Sequence, residues 1–187
     1  NIIEYFGGVG VTTTILKNKL KINKHKAIEI DKECFKQLCS LPDLNVSLED
    51  GHKAIMKHTD YDIKICDWGH CTIVQLKRGK WTNFLGLFLS KPKYVCWTDT
   101  SISFPIKHSS AKIYAKELDT EEFNSYTEYF VSMSDWLFFN VGYSIKKVAY
   151  RGKNACYILA EKGKHDISEK KFGLNEYNDG FEKILSD

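Results

Sequence analysis

The chain has 187 residues, 43% hydrophobic and 13% aromatic, with 27 lysines and arginines against 24 acidic residues and a net charge of +3. That length and apolar fraction support one full hydrophobic core and exclude a globally disordered chain, and no apolar run reaches the roughly 18 to 20 residues of a membrane span. Arg78 and Arg151 are the only arginines, so the positive field is diffuse, permitting a nucleic-acid partner without demanding one.

In chain order, short apolar runs alternate with helix-like stretches. "NIIEYF" (1 to 6) reads as a strand and "TTTILKNKL" as the start of a helix; "HKAIEID" (25 to 31) is a second strand, and "KECFKQLCSL" has apolar residues at helical spacing before Pro42 stops it. "LNVSLED" (44 to 50), "YDIKICD" (61 to 67) and "KYVCWTDT" (93 to 100) are the next strands, separated by helices over "GHKAIMKH" and "TNFLGLFLS". A longer helix is expected within "DTEEFNSYTEYFVSMSDWLFFNV", then a hairpin from "YSIKKVAY", the turn "RGKN" and "ACYILAEK". The alternation predicts an α/β fold with a doubly wound, mostly parallel sheet, closed by a C-terminal antiparallel β-hairpin. Residues 1–160 form the expected domain, and 161–187 a polar extension with at most one short helix near "GFEKILSD".

No basic n-region or cleavage site precedes the first strand, so no secretory signal is read, and a strand this early suggests a trimmed start. The six cysteines (34, 39, 66, 71, 96 and 156) contain no CxxC pair. Reduced, mostly buried thiols in a cytoplasmic protein, with no bound metal, are the expectation.

The stretch "EYFGGVGVTTTIL" (4 to 16) ends a strand in a glycine turn and opens a helix, which aims backbone N–H groups at a ligand. Gly7, Gly8 and Gly10 let the backbone come close. A dinucleotide fingerprint needs a third glycine where Thr13 stands, which disfavours a nicotinamide-dependent oxidoreductase. The competing class places an acid at the end of the first strand to meet an ammonium group, and Glu4 is such an acid.

These residues resemble motif I of the class I S-adenosylmethionine (SAM)-dependent methyltransferases, in the E/D-x-F-x-G-x-G form frequent among enzymes acting on DNA and RNA. "AIEID" resembles the second-strand motif, whose acid holds the ribose hydroxyls; Glu29 stands 19 residues beyond Gly10, near the spacing of a ribose acid. "SLEDG" resembles the third-strand motif, which puts Asp50 at the adenine amino group with Gly51 beside it; Glu49 is the alternative acid. "YDIKICD" resembles the fourth-strand motif, with Asp67 near the methyl-bearing end of the cofactor. The resemblance implies a seven-stranded methyltransferase sheet, SAM as cofactor, and a cofactor site of Glu4, Phe6, Gly7, Gly8, Gly10, Glu29, Ile30, Asp50, Gly51 and Asp67.

The acceptor is less defined. Amino-methylating enzymes of this kind carry D/N-P-P-Y/F after the fourth strand, whereas this chain has "CDWGHC". Asp67, Trp68 and His70 are the catalytic candidates: Asp67 can orient an amine or act as a base, Trp68 can stack on a flat substrate, and His70 titrates in the useful range. Cys71 reads as a packing thiol. "WTDTS" (97 to 101) ends the fifth strand near the same edge, and "SISFPIKHSSAKIYAKEL" (101 to 118) with Phe104, Lys107 and His108 reads as a substrate lid. The lysines of "KNKLKINKHK" (17 to 26), with Lys77, Arg78 and Lys80, read as a solvated face or as contacts to a phosphate backbone. The expected function is SAM-dependent methyl transfer, with nucleic acid as one acceptor the resemblance allows. A SAM-fold binding protein without catalysis is the alternative.

Overall fold

The computed structural model describes residues 1–8, 10–19, 22, 24–67, 82–99, 126–151 and 155–163. The elements in order are β1 (Ile2–Tyr5), α1 (Val11–Lys19), β2 (His25–Glu29), α2 (Lys32–Cys39), β3 (Asn45–Leu48), α3 (Gly51–Lys57), β4 (Ile63–Cys66), α4 (Thr82–Phe88), β5 (Tyr94–Asp99), α5 (Tyr126–Asn140), β6 (Tyr143–Arg151) and β7 (Ala155–Lys162). The strands form one seven-stranded sheet in the order β3-β2-β1-β4-β5-β7-β6. By its internal contacts the chain divides into two compact units, one of Asn1–Asp67 with Thr82–Cys96 and one of Trp68–Trp81 with Trp97–Asp187.

In the first unit β1 lies between β2 and β4, parallel to both, with Glu4 level with Ala27 on one side and Ile65 on the other. All four β1 residues are buried, which is why this strand reads as a nearly unbroken apolar run: a parallel strand covered on both faces has no wet side. The pleat sends successive side chains to opposite faces. Glu4 meets Thr13 of α1, while the Tyr5 hydroxyl donates to the His58 carbonyl just beyond α3 at 2.7 Å. Burying aliphatic side chains such as Ile3, Ile28 and Leu38 contributes about 1.5–3 kcal/mol each.

The strand predicted over 25–31 stops at Glu29 for a local reason. The Ile30 and Asp31 amides turn back onto Glu29 Oε1 at 2.7 and 2.8 Å, and Asp31 then caps α2 by accepting from the Glu33 and Cys34 amides. Asp50 caps α3 in the same manner through the His52 amide. Lys64 of β4 is fully buried and donates to the Gly86 and Leu89 carbonyls at the end of α4, at 2.9 and 2.7 Å. Burial lowers its pKa to about 8.

In the second unit β6 and β7 are antiparallel, with Tyr143 opposite Lys162 and a register shift between Ile145 and Lys147. The predicted hairpin therefore forms; Gly152, Lys153 and Asn154 of its turn lie outside the described residues. Trp97 is buried against Phe130 and Phe138 of α5, and its Nε1 donates to Ser134 Oγ at 2.8 Å, so the indole N–H is satisfied inside the core. Trp97 belongs to packing rather than to a cleft, and Thr98 is buried as well; Thr100 and Ser101 lie outside the described residues. Cys66 and Cys156 are buried, Cys34 and Cys96 half-buried and Cys39 exposed, all as free thiols.

Candidate functional site

The site is built on the turn that follows β1. Phe6 has φ 64°, Gly8 φ 54° and Gly10 φ 82°. For Phe6 the left-handed conformation costs roughly 1–2 kcal/mol, a strain found where neighbours fix the backbone at a functional loop. Those neighbours are visible. The Gly7 amide donates to the Ile28 carbonyl at 3.0 Å, the Gly10 amide returns to the Gly7 carbonyl, and the Phe6 ring meets His52 edge-on at 5.0 Å. A Cβ on Gly51 would stand 2.5 Å from the Phe6 ring, so the predicted Gly51 is the space in which Phe6 packs.

Glu29, at the end of β2, is the hub of this edge. Its Oε2 accepts from the Gly8 amide at 2.7 Å while Oε1 takes the Ile30 and Asp31 amides. Ile30 projects beside it, 61% exposed. The Glu49 amide donates to the Glu29 carbonyl, which brings the end of β3 alongside. Of the two acids there, Glu49 points to Lys57 and His58, at 3.1 and 3.2 Å, while Asp50 stands at the N-terminus of α3 next to Gly51. The candidates Phe6, Gly7, Gly8, Gly10, Glu29, Ile30, Asp50 and Gly51 thus gather on the turn and the two neighbouring strand ends.

Glu4 is placed differently from the expectation that it meets an ammonium directly. It is completely buried beneath α1, where Thr13 Oγ1 donates to its Oε2. His25 of β2 approaches the same oxygen at 3.4 Å, and burial together with nearby Lys17 lowers the His25 pKa to about 4. Lys17 and His25 belong to the basic run read as solvated or phosphate-binding, yet His25 is buried and the Lys17 ammonium is enclosed without a hydrogen-bond acceptor among the described residues. Thr13, Lys17 and His25 are the residues that sequence reasoning missed. The signal for the first was the departure from a third glycine: a hydroxyl at that position meets the buried acid of β1.

Asp67 follows β4, and its amide donates to the Tyr5 carbonyl at 3.3 Å. It thus stands at the boundary between β1 and β4, the point where strand order reverses and open α/β sheets bind ligands. Trp68 and His70 lie outside the described residues, as do Cys71, Lys77, Arg78, Lys80, Phe104, Lys107 and His108. Among the described residues no group of three His, Cys, Asp or Glu side chains could hold a metal ion, and no helix is long and apolar enough to cross a membrane.

No family model matches the sequence, and no curated protein does. Solved structures do match in shape. A SAM-dependent methyltransferase from Aquifex aeolicus superposes with TM-score 0.51 at 14% identity, over 86% of this chain and 81% of its own. The methyltransferase domain of bacterial CtHen1-C gives 0.56 at 11% identity, over 87% and 89%. Magnesium protoporphyrin IX methyltransferase from Synechocystis, with bound SAM, gives 0.53 at 10% identity, over 87% and 69%. The chain has the class I methyltransferase fold. The predicted fold class is therefore the observed one, a mixed seven-stranded sheet ending in an antiparallel hairpin.

Proposed function

We propose that this class I methyltransferase fold binds SAM at the carboxyl ends of β1, β2 and β3 and transfers its methyl group to an acceptor. The observation that carries the reading is the bond from the Gly8 amide to Glu29, which joins the glycine turn to the second-strand acid. The donor set fits the cofactor. A carboxylate offers about four acceptor positions; three on Glu29 take the Gly8, Ile30 and Asp31 amides, leaving one on Oε2 for a ribose hydroxyl. Asp50 spends Oδ1 on the His52 amide, leaving Oδ2 for an adenine amino group. The position of a Cβ on Gly8 meets nothing within 4 Å, so the turn presents open backbone.

When bound, SAM supplies the electrophilic methyl group. The chain's part is to bind and align. Glu29 and Asp50 hold the nucleoside, the half-exposed Phe6 and exposed Ile30 cover its flat face, and Asp67 orients the acceptor, with Trp68 and His70 following it in sequence as further acceptor contacts. The acceptor we propose is nucleic acid, on the strength of the E-x-F-x-G-x-G form. The free thiols support a reducing, cytoplasmic setting.

Isothermal titration with SAM and with its demethylated product tests the reading, followed by a radiolabelled methyl screen over RNA, DNA and small molecules. The expected result is saturable one-site binding of both nucleosides and label transfer to a nucleic acid. Heats indistinguishable from dilution for both would sink it.

A further inference from the structure

Helix α3 carries two groups proposed to serve the nucleoside: the Asp50 carboxyl that caps it, and Gly51, against which the Phe6 ring packs. It has only seven residues, too few to hold a direction of its own in water. What anchors its two ends therefore decides where Asp50 stands. At the C-terminal end the Tyr5 hydroxyl donates to the His58 carbonyl at 2.7 Å. At the N-terminal end the Glu49 amide donates to the Glu29 carbonyl at 3.0 Å. The Glu49 side chain then ties one end of the helix to the other: Oε1 meets His58 Nε2 at 3.2 Å, and Oε2 takes the Lys57 ammonium at 3.1 Å. Burial works to raise the Glu49 carboxyl, but the hydrogen bonds from Lys57 and His58 outweigh it and hold it below the usual carboxylate range. An ionised carboxylate only accepts, so His58 Nε2 is the donor.

The two limbs of this tie are unequal. The Lys57 side chain is 66% exposed, and a pair held that far out in water contributes little. The His58 ring is only 17% exposed. Through it the bonds close a ring: Glu29 to Glu49 by the backbone, Glu49 to His58 by side chains, His58 to Tyr5 by its carbonyl, and Tyr5 back to β2 by strand pairing with Ile28. We infer that Glu49 is a positioning residue for base recognition: bonded to His58, it fixes α3 so that the Asp50 carboxyl meets the adenine amino group. The inference rests on the proposed SAM reading and adds to it what holds the base-selecting acid in place. Glu49 acts through Asp50, since both its own carboxyl oxygens already have protein donors. Hydrogen bonds weaken steeply off their preferred angle, and a recognition group works only when held to within about 0.5 Å.

The test is the preference for one base over another. The probes are the demethylated product of SAM and its hypoxanthine counterpart, which carries a carbonyl where adenine has its amino group; both are titrated calorimetrically into the full chain. The unaltered chain is expected to bind the adenine nucleoside at least about tenfold more tightly, the worth of one charge-assisted hydrogen bond. In Glu49→Ala and in His58→Ala that ratio is expected to fall several-fold, and in the double variant to fall no further, because the two side chains act as one link. Glu49→Gln keeps an oxygen for His58 and is expected to restore most of the ratio. A role in stability alone would lower Tm and weaken both nucleosides alike; an unchanged ratio in a folded Glu49→Ala overturns the inference and leaves the SAM reading standing. Equal binding of the two nucleosides by the unaltered chain also overturns it, since α3 then has no base preference to hold. Absence of saturable binding for either nucleoside removes the SAM reading and the inference together. Where Glu49→Ala does not fold, His58→Ala decides, because Tyr5 bonds the backbone carbonyl and keeps that bond.

Discussion

The Gly8 amide donates to Glu29 Oε2 at 2.7 Å, so the turn that ends β1 is held by the acid that ends β2. Glu29→Ala removes three accepted N–H bonds together. The Gly8 donor is partly buried, and leaving such a group unsatisfied costs about 1–3 kcal/mol. The expected outcome is a folded variant with lowered Tm and at least about tenfold weaker SAM binding, one tenfold step being about 1.4 kcal/mol. Thermal unfolding and calorimetry on the same sample check it; unchanged affinity would remove Glu29 from the cofactor site.

The two turn glycines with left-handed backbones separate stability from binding. A Cβ on Gly10 would stand 2.9 Å from Leu38 Cδ2 and 3.0 Å from Leu41 Cδ1, whereas one on Gly8 meets open space. Gly8→Ala therefore carries the left-handed cost alone, roughly 1–2 kcal/mol. Gly10→Ala adds overpacking against two leucines, about 1–3 kcal/mol more. Urea unfolding is expected to rank Gly10→Ala as the less stable variant. Gly8→Val, which fills the open face of the turn, is expected to weaken SAM binding while unfolding cooperatively. Equal stability of the two alanine variants would contradict the close approach of Leu38 and Leu41 to Gly10.

Much of this was legible because the parallel strands are covered on both faces and so read as bare apolar runs, with each helix announced by its cap or its spacing. The positions of the edge acids were legible too, since Glu29 closes an apolar run and Asp50 directly precedes a glycine and a run at helical spacing. What the sequence hid was depth. Glu4 is level with Ala27, two residues before Glu29, so the pleat puts both acids on one face of the sheet, yet Glu4 stops short of the end of β1 and lies under α1 while Glu29 ends β2 at the turn. The lysines of 17 to 26 look alike in sequence, but one helical face encloses the Lys17 ammonium, and Lys64 sits in the middle of a strand with its charge on two carbonyls. The left-handed backbone at Phe6 has no marker in residue type at all.

Lys64 makes a prediction about alkaline stability. Its folded pKa is about 8 against an ordinary 10.5, lowered by burial. Below about pH 8 folded and unfolded chains both hold the proton and the full cost of burying the ammonium is present. Between about 8 and 10.5 the folded chain has released it while the unfolded chain keeps it, so the unfolded state binds more protons and stability rises with pH. The neutral amine still has two hydrogens for the Gly86 and Leu89 carbonyls. The contribution is on the order of 3 kcal/mol over the whole window. The buried phenols of Tyr5 and Tyr143, pushed above their ordinary range, work in the opposite direction above about pH 10, so the measurement belongs below that. Urea unfolding from about pH 7.5 to about pH 9.5 is expected to show a more positive slope for the unaltered chain than for Lys64→Met. Parallel slopes would mean that the ammonium is not enclosed.

Asp50 carries two duties that one pair of substitutions separates. As the cap of α3 it accepts from the His52 amide at 2.9 Å, and Asp50→Ala is expected to lower stability by about 1 kcal/mol. Serine caps nearly as well as aspartate, so Asp50→Ser is expected to restore Tm to within a degree or two, roughly what a few tenths of a kcal/mol moves in a domain of this size. Serine offers no second carboxyl oxygen, however, and the acceptor proposed for the adenine amino group is Oδ2. SAM affinity is therefore expected to stay several-fold low in Asp50→Ser despite the recovered helix. A serine variant that recovers both Tm and SAM affinity would make Asp50 a helix cap and nothing more, and the search for the adenine acceptor would move to the backbone around Gly51.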